Sequence, residues 1–528
     1  MIPQRDYRDG GRSAALAETG MAATSHPQAT LAALDLLRRG GNAVDAALAA
    51  VALLGVIEPA MSGIGGDCFV LLSRKGAAPL AFNGSGATPA ALDLDRFLAL
   101  GLPQIPARSA HAVTIPGAVE AWCRIHEEHG SRPLDEILAP AIAAAEEGFR
   151  VGPRIAADWA DLAPELARHP AASAYFLPGG VPPAAGDRFA APALGGTLRR
   201  IARSGRAGFY EGPVAAELVA SLAALGGRHT LEDFAGHRGR WVEPVTAPYR
   251  DWQIAECPPN GQGVAALMIL RLLDGLGPPD ADPATRVHLL AEATKIAYGQ
   301  RDLLLGDPEH GEIPVAAFLA EARVRGLRTG IRSDRVLPAA VWDLPLHADT
   351  TCLSVVDRDL NAVSLINSIF MTFGSCLYAP GAGVLLHNRG AGFSLTAGHP
   401  NALAPGKRPM HTIIPGMALE GGRPVMPFGV MGGHYQATGH AQLIGNILDR
   451  GLDVQQAIDA PRSFAYDGVL QLEPRHGPAV GRDLAALGHD VAWSDRPIGG
   501  GQAIFIDHAR GVLIGGSDSR KDGCALGY

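Results

Sequence analysis

His347-Ala348-Asp349-Thr350-Thr351-Cys352-Leu353-Ser354-Val355-Val356-Asp357 is the stretch on which the fold turns: a polar linker gives way, at two hydroxyl residues, to a run of apolar and β-branched side chains. β-Branched residues favour strands, so the stretch by itself predicts a strand over 351–356 and nothing more. A second such run, 361–367, follows the short polar turn Asp357-Arg358-Asp359-Leu360, and two adjacent strands joined by a tight turn predict an antiparallel pair.

Working outward, strand-like runs recur at 383–386, 413–419 and 425–429, whereas 115–335 reads as mainly helical, with periodic stretches at 137–147, 194–202, 213–225 and 284–305. Nearer the start, 27–39 has helical periodicity and stops at Gly40-Gly41. A second helix begins with Asn42 as its cap and Asp45 placed to return the hydrogen bond. That helix is apolar nearly all round over 46–57 and must be covered on several sides. Met61-Ser62-Gly63-Ile64-Gly65-Gly66-Asp67 is a glycine turn into a strand at 68–73; it lacks the lysine and spacing of a phosphate loop. Helices before and after paired strands predict an α+β fold with helices on both faces of two packed sheets.

Composition narrows the function. The 528 residues include 66 glycines and 40 prolines, with 47% hydrophobic and 19% charged residues, which predicts a loop-rich soluble protein. A net charge of −8 with scattered Lys and Arg gives no footprint for nucleic acid or an anionic membrane, so the expected partner is a small molecule. The longest apolar stretch, 46–57, falls short of the roughly 20 residues that cross a bilayer. Arg5, Asp6, Arg8, Asp9, Arg12 and Glu18 leave residues 1–20 without the apolar centre of a secretion signal, and a cytoplasmic location is expected. Six cysteines stand singly and read mostly as buried thiols. No His-Glu-x-x-His pair and no Gly-x-Ser-x-Gly elbow is present, since Gly84-Ser85-Gly86 lacks the outer spacing. Neither a catalytic metal nor a serine triad is expected, and no cofactor is implied.

Thr350-Thr351-x-x-Ser354-Val355-Val356-Asp357 resembles the start of the small subunit in the γ-glutamyltransferase family. The resemblance continues in order along the chain: Gly40-Gly-Asn-Ala-Val-Asp-Ala46, Met61 to Gly66, Pro116-Gly117, Tyr210-Glu-Gly-Pro213, Gly306-Asp-Pro308, Phe373-Gly374, Pro405-Gly-Lys-Arg-Pro409, Met431-Gly-Gly433, Ser517-Asp-Ser-Arg520 and Gly527-Tyr528. It implies a four-layer αββα N-terminal-nucleophile hydrolase sandwich, made as a precursor that cuts itself between Asp349 and Thr350. The products are a large subunit, 1–349, and a small subunit, 350–528, which stay associated; homo-oligomerisation is left open. It further implies that Thr350 is the nucleophile, that Ser368 holds it, and that Gly432 and Gly433 offer oxyanion donors. The chemistry is coherent: a threonine hydroxyl needs a base within reach, and its own freed α-amine can be that base.

The sequence also departs from the family's γ-glutamyl pattern. No arginine stands in Phe82-Asn-Gly-Ser-Gly-Ala-Thr-Pro89, Phe370 replaces an asparagine, Gly392 an aspartate, Arg389 a glutamine, and His411-Thr412 a serine pair. An ammonium partner is lost and a guanidinium gained, which suits a substrate with a carboxylate close to its amide. This is similar to the branch of the family with oxamate amidohydrolase activity, and Arg389, His411 and Thr412 become candidate substrate contacts. Two structural readings stay open: Arg389 as half of a buried ion pair and His411 as a hydrogen-bonded support. The stretch 395–406 is shorter than the family's lid loop, which favours hydrolysis over transfer. The competing functions are a glutathione hydrolase or γ-glutamyltransferase with a rebuilt site, and a non-catalytic homologue that never matures.

Overall fold

Thr351–Val356 is a strand and pairs antiparallel with Ala362–Ser368, Thr351 opposite Asn367 and Val356 opposite Ala362. The computed structural model describes residues 11–276, 281–338 and 350–528. Asp357 closes the turn between the two strands by accepting from the backbone N–H groups of Asp359 and Asn361. Its other oxygen takes Ala43 N, which ties the hairpin to the second helix.

The hairpin sits in the middle of an antiparallel sheet with strand order Cys524–Gly527, Met21–Thr24, Thr351–Val356, Ala362–Ser368, Asp67–Ser73, Leu80–Gly84, Arg240–Val242. A second seven-stranded sheet runs Ala15–Ala17, Val512–Ser517, Gly500–Asp507, Arg423–Met431, Gly416–Glu420, Trp252–Glu256, Val245–Tyr249. Strand alternation assigns the faces. Leu353, Val355, Val363 and Leu365 join the helices Pro27–Arg38 and Ala43–Ile57 in one core, while Cys352 and Ile366 meet Met417, Met431 and Ile504 of the second sheet in another. The far face of the second sheet, with Ile254, Ala418 and Phe428, is covered by the helices Gly263–Leu273, Pro283–Leu304 and Tyr435–Leu448. The result is the four-layer α+β sandwich expected from the sequence, and each fully buried Leu or Val in it contributes roughly 1.5–3 kcal/mol.

The capping box of Asn42 and Asp45 is present, and every residue of Ala43–Ile57 is buried, as its uniform apolarity required. The region 115–335 is not all helix: Arg240–Val242, Val245–Tyr249 and Trp252–Glu256 interrupt it. Val245–Tyr249 holds Pro248 and is a sheet edge, where a missing N–H costs nothing. The run read at 413–419 starts later, at Gly416, because Pro415 cannot donate; Ile413 N and Ile414 N bond to the side chains of His411 and Gln436 instead. Five cysteines are buried, Cys524 is partly exposed, and all six are free thiols. Among the described residues no helix is long and apolar enough to cross a membrane.

Candidate active site

Even-numbered residues of both hairpin strands face the second sheet, so Thr350 and Ser368 lie side by side at one end of the inter-sheet space. Their hydroxyl oxygens are 3.1 Å apart and both residues are buried. Ser368 Oγ also accepts from Phe370 N at 3.0 Å and from Arg389 Nη2 at 3.4 Å. With both lone pairs engaged, the serine proton is directed at Thr350 Oγ1. Asp349, on the other side of the expected cleavage bond, lies outside the described residues.

The second sheet brings its glycine pair to the same end. Ser364 Oγ donates to Phe428 O at 2.6 Å, and Cys352 Sγ, paired across the hairpin with Ile366, meets Gly429 O at 3.4 Å. Climbing the hairpin towards Thr350 and Ser368 is therefore climbing Arg423–Met431 towards Gly432 and Gly433. Gly432 has φ of 121° and Gly433 of 60°, and a Cβ on Gly432 would lie 2.9 Å from Gly499 Cα, so only glycine fits. Gly432 O accepts from Tyr435 N, at the start of a 14-residue helix, and Gly433 O accepts from Gln436 N and from Gln262 Nε2. An N–H points opposite to the carbonyl of its own peptide unit, so Gly433 N–H is turned away from the helix it precedes. The positive end of that helix adds to its pull on a negative oxygen.

Arg389 opens the short helical turn Arg389–Gly392 and is fully buried. Nη1 donates to Thr412 Oγ1 at 2.8 Å, and the guanidinium lies 4.1 Å over the Phe370 ring. Phe370 has φ of 76°, a left-handed backbone at the residue that replaces the family's asparagine. Among the described residues no carboxylate forms an ion pair with Arg389, and its Nε has no hydrogen-bond partner. Burial pushes the guanidinium down to about 9 against the opposing pull of the more distant Asp67. The buried ion pair left open by the sequence does not form among the described residues.

His411 does find such a partner. Its Nε2 donates to Asp67 Oδ2 at 3.0 Å while Nδ1 accepts from Ile413 N, which fixes the neutral tautomer protonated on Nε2. Burial, reinforced by the Arg389 charge, pushes its pKa down to about 3. Asp67 Oδ1 meanwhile accepts from Gly86 N and Gly117 N. Burial alone would raise the Asp67 carboxyl, but His387 and His411 hold it well below the usual range. In the sheet Asp67 stands directly across from Ser368. His411 thus spends its side chain on protein contacts, while the neighbouring Thr412 touches Arg389.

Two residues of this network had not been singled out. Asp67 was visible only as the polar end of a glycine turn. That turn packs backbone against backbone: a Cβ on Gly66 would lie 2.3 Å from Ser368 O. Gln262 carried no signal at all, yet its Nε2 bridges Thr412 O at 2.9 Å and Gly433 O at 3.0 Å, and its Oε1 accepts from Arg301. The Arg389 side and the Gly432-Gly433 side of the site are joined through this one amide.

Comparison with known proteins gives consistent results. A family model described as gamma-glutamyltranspeptidase matches residues 29–528. The oxamate amidohydrolase proenzyme of Klebsiella pneumoniae is 38% identical over 525 residues, covering 96% of this chain and 98% of the relative. The glutathione hydrolase-like YwrD proenzyme of Bacillus subtilis is 35% identical over 520 residues, with the same coverage. Among solved structures, the cephalosporin acylase from Bacillus halodurans superposes with a TM-score of 0.93 at 36% identity, covering 100% of this chain and 99% of that one.

Proposed function

Given that the chain belongs to the gamma-glutamyltranspeptidase family and is an N-terminal-nucleophile amidohydrolase or transferase-like enzyme, we propose that it hydrolyses the amide of a small carboxylate-bearing substrate of the oxamate kind. The observation that carries this reading is Arg389: a guanidinium that is buried without an ion-paired carboxylate among the described residues, one hydroxyl away from Thr350. A buried cation without a counter-ion is costly, and a substrate carboxylate supplies one.

In this reading the precursor first matures. Thr350 Oγ1 attacks the carbonyl of residue 349, the peptide bond becomes an ester, and water releases chains 1–349 and 350–528. The liberated α-amine of Thr350 then takes the hydroxyl proton as Oγ1 attacks the substrate amide. The tetrahedral oxyanion is met by the backbone donors at Gly432 and Gly433. The amine leaves with the proton held by the α-ammonium, and water attacking the Thr350 ester frees the acid. Ser368 orients the nucleophile. Arg389, steadied by Thr412 and Phe370, takes the substrate carboxylate, and His411 with Asp67 holds the extended segment that carries Thr412.

A second reading, hydrolysis of glutathione or γ-glutamyl amides, is favoured by the YwrD relative. Phe370 and Gly392, where the family's amino-acid-binding side chains would stand, count against it. Ammonia release from oxamate, measured beside turnover of a chromogenic γ-glutamyl anilide, separates the two. Turnover of the anilide alone would overturn the proposal.

A further inference from the structure

Away from the inter-sheet site, three buried ligand-type side chains converge where the helix Pro283–Leu304 meets the residues that follow the helix Pro478–Ala486. His288 and Glu292 are four apart and share a helix face, and His489 comes from the other element. One ligand atom from each of the three lies within 4.8 Å of the others. His288 Nε2 is 2.6 Å from the Arg332 carbonyl, which can only accept, so the ring proton is on Nε2 and the lone pair on Nδ1. That lone pair faces His489 Nε2 at 2.8 Å. An imidazole anchored to a backbone carbonyl through one nitrogen and offering the other is the arrangement that metal-binding histidines adopt.

We propose that His288 Nδ1, His489 Nε2 and a Glu292 oxygen form a binding site for one divalent cation of the zinc type. Two imidazoles and a carboxylate are a donor set suited to zinc, with a fourth position left for water. The hydrogen bond between the rings is what the ion replaces: the proton on His489 Nε2 moves to its Nδ1, and the two nitrogens part by about half an ångström to accept bonds of about 2.0–2.1 Å. Lys295 now neutralises Glu292, its Nζ 2.7 Å from Oε1, while Leu337 N holds Oε2. The lysine has somewhere to go: it lines, with His489 and Asp490, an adjoining cavity of about 170 Å³, where the Asp490 carboxylate can receive it. His288 and Glu292 precede Thr350 and His489 follows it, so in a cleaved enzyme the ion would staple the two chains.

The test uses tag-free purified protein, stripped with chelator and titrated with zinc or cobalt(II). One equivalent should survive gel filtration, and cobalt should show the visible absorption of a four-coordinate site. His489→Gln and Glu292→Gln should lose that equivalent. Lys295→Ala, which removes the competing ammonium, should shift the titration to lower free metal, a gain that misfolding cannot mimic. No retained equivalent in the parent protein, undiminished binding in His489→Gln, or weaker binding in Lys295→Ala would overturn the assignment.

Discussion

Replacing Arg389 with methionine separates substrate recognition from folding. Methionine keeps an unbranched side chain over Phe370 and removes only the guanidinium. A guanidinium held near 9 instead of 12.5 costs the folded chain on the order of 5 kcal/mol at neutral pH, at about 1.4 kcal/mol per tenfold. The sign follows from the direction: the folded state holds the proton less tightly than the unfolded one, so the cost is full below about 9 and fades as pH rises past it. The bonds to Thr412 and Ser368, roughly 1.5–3 kcal/mol each for a charged donor, offset most of that. Arg389→Met should therefore melt close to the parent and still cleave itself, slowed by no more than about tenfold for the one long bond to Ser368. Substrate binding has no such compensation. Loss of one partner of a desolvated charge pair costs about 2–4 kcal/mol, so KM for an acidic amide should rise roughly 30- to 1000-fold. The assay is ammonia release from oxamate and from its uncharged diamide analogue, beside the rate at which full-length chain disappears on a denaturing gel. An unchanged KM for the acid, or equal damage to self-cleavage and both substrates, would refute the reasoning and return Arg389 to a structural role.

Three further outcomes are expected. Thr350→Ala should leave a single chain of 54.9 kDa with no turnover, read by intact mass; cleavage at the same bond would remove Thr350 from its role. Ser368→Ala should lower kcat about 10- to 100-fold with little change in KM, since it deletes a donor worth about 1–3 kcal/mol to the nucleophile, and a rise in KM alone would contradict this. The pH profile of kcat/KM for an acidic amide should rise as the Thr350 α-ammonium, with a reference value of about 8, loses its proton. It should fall again as free Arg389 loses its charge near 9, a limb that a neutral amide should lack. His411, neutral at any pH well above 3, should add no limb between pH 5 and 8.

The layers, and the motifs that point to Thr350 as the nucleophile, are legible in the amino-acid sequence alone. The capping box at Asn42 and Asp45, the uniformly apolar helix after it, and the hairpin around Asp357 are set by residues within a few positions of each other. The ordered motifs around Thr350 and Gly432-Gly433 carry the family in the same local way. The strands from Arg240 to Glu256 escaped because an edge strand containing Pro248 has little pattern to read, and the glycine-rich strands near the end, Gly500–Asp507 and Val512–Ser517, were equally faint. It took the closed tertiary structure to reveal that Arg389 meets no counter-ion among the described residues, that His411 answers to Asp67, and that Gln262 joins Thr412 to Gly433. His411 and Asp67 are 344 positions apart, and Gln262 and Gly433 are 171. Periodicity and turn chemistry act over a few residues, whereas these contacts exist only once two sheets have closed on each other.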